Sequence, residues 1–128
     1  MSLEQEFLER YGNQSFPHAE RVLACLREGG CKVRSTSEGN LLPCSHYARI
    51  ARARAEYGAK TGQIPQELYE DCVRLYESLE LTPEEGCRLW IFGSSDGARY
   101  AVYEAVGSGR IAGCFQVYKD GSEAFGAI

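Results

Sequence analysis

The chain has 128 residues, 44% of them hydrophobic and 25% charged, with a formal net charge of −4 and a pI of about 5.2. That length holds a single core, and that composition lies well away from chains that stay disordered. The negative charge disfavours nucleic acid and anionic lipid as partners, and no stretch approaches the ~20 apolar residues needed to cross a bilayer.

The first ten residues carry Glu4, Glu6 and Glu9 rather than a basic patch followed by an apolar run, so a cytoplasmic, bacterial setting is expected. The six cysteines are then reduced thiols, and those in periodic segments, such as Cys25, Cys72 and Cys114, act as small hydrophobes.

In chain order, Leu3, Phe7, Leu8 and Tyr11 recur at helical spacing and Gly12-Asn13 ends the pattern, which predicts a first helix. Ser15 as N-cap and Pro17 in the first turn open a second, with Ala19, Val22, Leu23 and Leu26 on one face and Gly29-Gly30 as its stop. Residues 31–36 suit a short edge strand, and 37–40 form a polar turn. After Pro43, the set Tyr47, Ile50, Ala51, Arg54 and Tyr57 gives a third helix, interrupted at Gly58 and Gly62. Pro65, followed by Leu68, Cys72, Leu75, Tyr76 and Leu79, gives a fourth with a clear apolar stripe.

From Arg88 the period shortens to two. Residues 89–92, 99–106 and 110–118 read as strands joined by short glycine turns, hence antiparallel, and Asp120-Gly121 signals a further strand over 122–127. The expected fold is a single α+β domain, with about four helices over 2–80 packed on one face of an antiparallel β-meander of three to four strands over 88–127. The strands carry Trp90, Phe92, Tyr100, Tyr103 and Phe115, so the second face needs a covering helix, a homodimer partner or a ligand.

Three constellations bear on chemistry. Cys44 beside Ser45-His46 at a helix start invites a thiol enzyme using His46 or His18, because a helix N-terminus lowers a thiol pKa and an imidazole can act as base. Residues two apart at a helix start diverge, however, which favours a capping role for Ser45 and a loop thiol at Cys44. Cys25, Cys31, Cys44 and His46 supply zinc-type ligands but lack the tight C-x-x-C knuckle, so no metal and no cofactor is expected. The glycines of 93–97 and 107–109 lack the lysine and following helix of a phosphate loop, and read as hairpin turns.

Charge is the third signal. Residues 45–60 carry Arg49, Arg52, Arg54 and Lys60 against Glu56, a balance of +3, whereas 65–85 carry Glu67, Glu70, Asp71, Glu77, Glu80, Glu84 and Glu85 against Arg74, a balance of −6. Neighbouring helices of opposite sign attract as a hairpin, each exposed pair contributing only ~0.2 to 1 kcal/mol. Carboxylates remain in excess, and Glu67, Glu70, Asp71 and Glu77 with Tyr69 and Tyr76 nearby form a candidate docking surface for a basic protein.

The run Trp90-Ile91-Phe92-Gly93 with Asp96-Gly97 and Tyr100-Ala101 is similar, over a short stretch, to the hairpin of bacterial immunity proteins of the SUKH group. That resemblance implies binding and neutralisation of a toxin, and assigns no residue a role. With no convergent acid, base and nucleophile in the sequence, the leading expectation is a small acidic interaction domain of immunity, inhibitor or regulatory type. A thiol enzyme centred on Cys44 and a small-ligand binder on the aromatic sheet face are the alternatives.

Overall fold

A computed structural model describes residues 2–95 and 97–117. The elements run α1 (Leu3–Tyr11), α2 (Ala19–Glu28), β1 (Lys32–Ser35), a 3-10 turn (Glu38–Asn40), β2 (Leu42–Pro43), α3 (Cys44–Thr61), α4 (Gln66–Glu80), β3 (Gly86–Gly93), β4 (Arg99–Ala105) and β5 (Arg110–Val117). The α+β layout is as expected. The strand expected over 122–127 lies outside the described residues.

The sheet is antiparallel in the order β1-β3-β4-β5, and the two-residue β2 shares with β1 the edge of β3 that β4 leaves open. Pairing of Leu89 with Tyr103, Trp90 with Val102 and Phe92 with Tyr100 fixes which side chains share a face. Trp90, Phe92, Tyr100, Val102 and Cys114 point one way, into a core with Phe7, Tyr11, Phe16, Val22 and Leu26 from the first two helices and their link. Cys87, Leu89, Ala101, Tyr103, Ala105 and Phe115 point the other way, against Cys44, Tyr47, Ala51, Leu68, Cys72, Leu75 and Leu79 of α3 and α4.

Helices therefore cover both faces of the sheet, so the second apolar face takes the covering helix that was one of the three options for it. The aromatic face is occupied by Phe7, whose ring meets Trp90 at 5.3 Å and Phe92 at 4.8 Å, both edge-on. Both helix pairs precede the sheet in the chain, so sequence order gave no sign that they divide between its faces.

Two helix ends also differ from expectation. Ser15 does not cap α2, because Phe16 is drawn into the aromatic core and the chain turns through Pro17 and His18 before the helix begins at Ala19. Nor does Gly58 interrupt α3. It lies inside the helix, where a Cβ would come within 2.3 Å of Ile64 Cγ1 and Cδ1. Close packing of Ile64 outweighs the ~1 kcal/mol that glycine costs a helix.

One polar network crosses the α1 side of the core. Glu104, 1% exposed, accepts hydrogen bonds from the Tyr11 hydroxyl and from the Trp90 indole Nε1 at 2.8 Å, with Arg10 3.7 Å away. Burial, followed by the Glu104 carboxylate, pushes the Tyr11 hydroxyl pKa well above its ordinary value. Arg88 lies 4.2 Å above the Trp90 ring and donates to Ser35 and, at 3.3 Å, to Glu6. These contacts tie α1 and β1 to the middle of the sheet, giving the first helix a fixed orientation that apolar packing alone does not impose.

Candidate functional site

A polar cleft lies where the start of α2 meets the first half of α4. It encloses about 340 Å³ and is lined by Pro17, His18, Arg21, Glu67, Glu70, Asp71 and Arg74. His18 precedes α2 with φ 62 and ψ 14, the one non-glycine residue with a left-handed backbone among the described residues. That conformation costs about 1 kcal/mol for a residue with a Cβ. Its compensation is visible: His18 Nε2 lies 2.8 Å from Asp71 Oδ2, and a hydrogen bond to a charged group contributes ~1.5 to 3 kcal/mol.

Asp71 falls on α4 between the buried Leu68 and Leu75 and is itself 6% exposed. Its second oxygen is taken by Arg74, one turn on. Both oxygens thus already hold a partner, and Asp71 lines the floor of the cleft rather than the exposed side of α4. With Nε2 facing Asp71, His18 Nδ1 has no hydrogen-bond partner among the described residues. An imidazole oriented by a buried carboxylate in an open cleft can take a proton from a bound group or from water.

The remaining carboxylates behave differently. Glu67, Glu70 and Glu77 recur with Arg74 at helical spacing along the exposed side of α4, and all three are exposed. None of the three enters an ion pair among the described residues; Glu70 accepts only a 3.4 Å bond from Gln66. Tyr69 and Tyr76 lie on the opposite flank, half-buried against the α3–α4 core, and Arg52 stacks 5.2 Å above the Tyr76 ring. Arg52 also pairs with Glu80 across the hairpin. Tyr76 therefore helps to fasten the two helices together, and both tyrosines lie on the flank of α4 away from the carboxylate row.

Cys44 and the histidines are not brought together. Cys44 is fully buried at the start of α3, and its thiol pKa is lowered by a hydrogen bond from Cys87, opposed by burial and aided by Thr82. The same bond, in which Cys87 keeps its proton to donate it, together with burial, drives Cys87 upward. His46 lies edge-on to Tyr47 at 5.2 Å. Of the zinc-type set, only Cys25 and Cys31 meet, with their sulfurs 2.6 Å apart. Among the described residues, no group of three or more His, Cys, Asp or Glu side chains is placed to hold a metal, and no helix is long and apolar enough to cross a membrane.

Sequence reasoning found His18 and Asp71 separately and assigned them to different functions. Their meeting depends on the link between α1 and α2, which carries no periodic signal. A histidine directly after Pro17 and ahead of an apolar helix is the only local hint. Comparison with known proteins finds no matching family model, no matching curated protein and no matching solved structure.

Proposed function

We propose that this chain is an interaction domain, of immunity, inhibitor or regulatory type, that docks a basic segment of another protein along α4. The observation that carries the reading is the row Glu67, Glu70 and Glu77, exposed and without cationic partners among the described residues, with two of its members on the rim of the cleft. An arginine or lysine of the partner enters between Glu67 and Glu70, while Glu77 extends the attraction along the helix. His18 and Arg74 hold Asp71 and so fix the floor of the cleft. A cytoplasmic protein partner fits this reading better than nucleic acid, given the sign of the row.

The test uses an arginine-rich peptide and a glutamate-rich peptide of equal length, titrated calorimetrically at low and at high salt. Binding of the first alone, weakened by salt and lost in the variant Glu67→Lys/Glu70→Lys, is the expected result. Equal binding after charge reversal at Glu67 and Glu70, with loss on reversal of Glu9 and Glu28 instead, would place docking elsewhere.

A second reading rests on the His18–Asp71 pair: acid–base catalysis on a small ligand in the same cleft. It replaces the Cys44 centre considered from sequence with an imidazole base, and is distinguished by an activity lost in His18→Gln but kept in Glu67→Lys.

A further inference from the structure

We propose that Cys25 and Cys31 form a dithiol site that low-molecular-weight disulfides such as oxidised glutathione convert to an intramolecular disulfide, clasping the end of α2 to edge strand β1. Cys25 occupies the last turn of α2 and Cys31 immediately precedes β1. Gly29 and Gly30 between them have φ 79 and 75, and a Cβ on either would meet nothing within 4 Å. Glycine is required there for the backbone reversal rather than for space, and the reversal is what folds Cys31 back over Cys25. The two sulfurs lie 2.6 Å apart, within about 0.6 Å of the ~2.05 Å length of a disulfide bond.

Access separates this pair from the molecule's other thiols. Cys31 is half-buried, whereas Cys44, Cys72 and Cys87 are 0% exposed and Cys114 is 2% exposed. The Cys44–Cys87 pair is thus closed to an external disulfide while the fold persists. Burial and the hydrogen bond with Cys25 push the Cys31 thiol up to about 12, so the reaction is slow at neutral pH and accelerates about tenfold per pH unit as thiolate forms.

The chemistry balances as a double exchange. The Cys31 thiolate attacks one sulfur of glutathione disulfide, forming a mixed disulfide and expelling one glutathione thiolate, which takes the proton that Cys31 gave up. The Cys25 thiolate then attacks the Cys31 sulfur and expels the second glutathione. Two protein thiols are oxidised and one glutathione disulfide is reduced to two thiols.

The full chain is incubated with oxidised glutathione at pH 7 and pH 9, quenched with acid, alkylated and digested with trypsin. The expected result is a chain lighter by two hydrogens, with four of its six cysteines alkylated and peptides 22–27 and 28–32 cross-linked, formed much faster at pH 9. Cys25→Ser is expected to hold a lasting glutathione adduct on Cys31, and Cys44→Ser/Cys87→Ser to form the cross-link as the parent does. Six alkylated cysteines after prolonged incubation, a lasting adduct on the parent chain, or a Cys44–Cys87 cross-link would each overturn the assignment.

Discussion

Replacing Glu104 by alanine probes the polar network that anchors α1 to the sheet. The carboxylate is 1% exposed and accepts from Tyr11 and Trp90, whose side chains are 2% and 0% exposed, so truncation leaves two buried donors without their acceptor. Each such bond to a charged group contributes ~1.5 to 3 kcal/mol, and relaxation around the vacated volume returns part of that, giving a loss of about 4 kcal/mol. Unfolding entropy of about 2.1 cal/mol/K per residue over 128 residues converts this to a fall in Tm of roughly 15 °C. Tyr11→Phe removes one donor only and is expected to lose about 1.5 kcal/mol. The double variant should be less destabilised than the two losses added, because the hydroxyl has no acceptor left to lose. Urea unfolding followed by Trp90 fluorescence and by circular dichroism reads all three. A loss below ~1 kcal/mol for Glu104→Ala, or strict additivity in the double variant, would refute the network as a stabilising unit.

Alkaline pH should destabilise the fold. Burial pushes Cys72 up to about 12 and raises Cys114, and the bond to Cys44 with burial raises Cys87, so the folded chain keeps protons that the unfolded chain releases above about pH 9. A raised folded pKa means stability is complete below the unfolded value and falls as pH rises, by up to ~1.4 kcal/mol per unit for each retained proton. Cys44 works in the opposite sense, and a urea midpoint unchanged between pH 8 and 10.5 would contradict these directions. His18→Gly should be more stable than His18→Ala by about 1 kcal/mol, since both lose the Asp71 contact but only alanine keeps the left-handed strain; equal midpoints would argue against that strain. Gly58→Ala should lower stability by ~1 to 3 kcal/mol despite alanine's better helix propensity, with Ile64→Val restoring part of the loss. A stabilised Gly58→Ala variant would show that Ile64 yields freely.

The four helices and three long strands were legible because each carries its own period. The apolar stripe of α4 sits at spacings of three and four, and the unbroken apolar run from Leu89 to Phe92 marks β3 as a strand covered on both faces. Strand β2 was not legible, since Leu42–Pro43 is too short to hold a period and is defined only by pairing with Gly86 and Cys87. The strand alternation showed two apolar faces, yet nothing local says that Phe7 fills the second. Of the candidate site, the carboxylate row could be read directly from helical spacing. The burial of Asp71 follows from its place between Leu68 and Leu75, which a finer reading of the same spacing would have found. The approach of His18 to Asp71 spans 53 positions and has no sequence signature.

Helices α1 to α4 precede β3, β4 and β5 and lean on them from both sides. A ribosome delivers the chain in that same direction, so the greasy flanks of the early segments emerge well before the strands that will shelter them. Until residues 86–117 clear the exit tunnel, folding has no centrepiece, and a growing chain stalled ahead of Gly86 should depend on chaperones. Synonymous changes that slow translation just upstream of that point would lengthen the vulnerable interval without altering a single side chain.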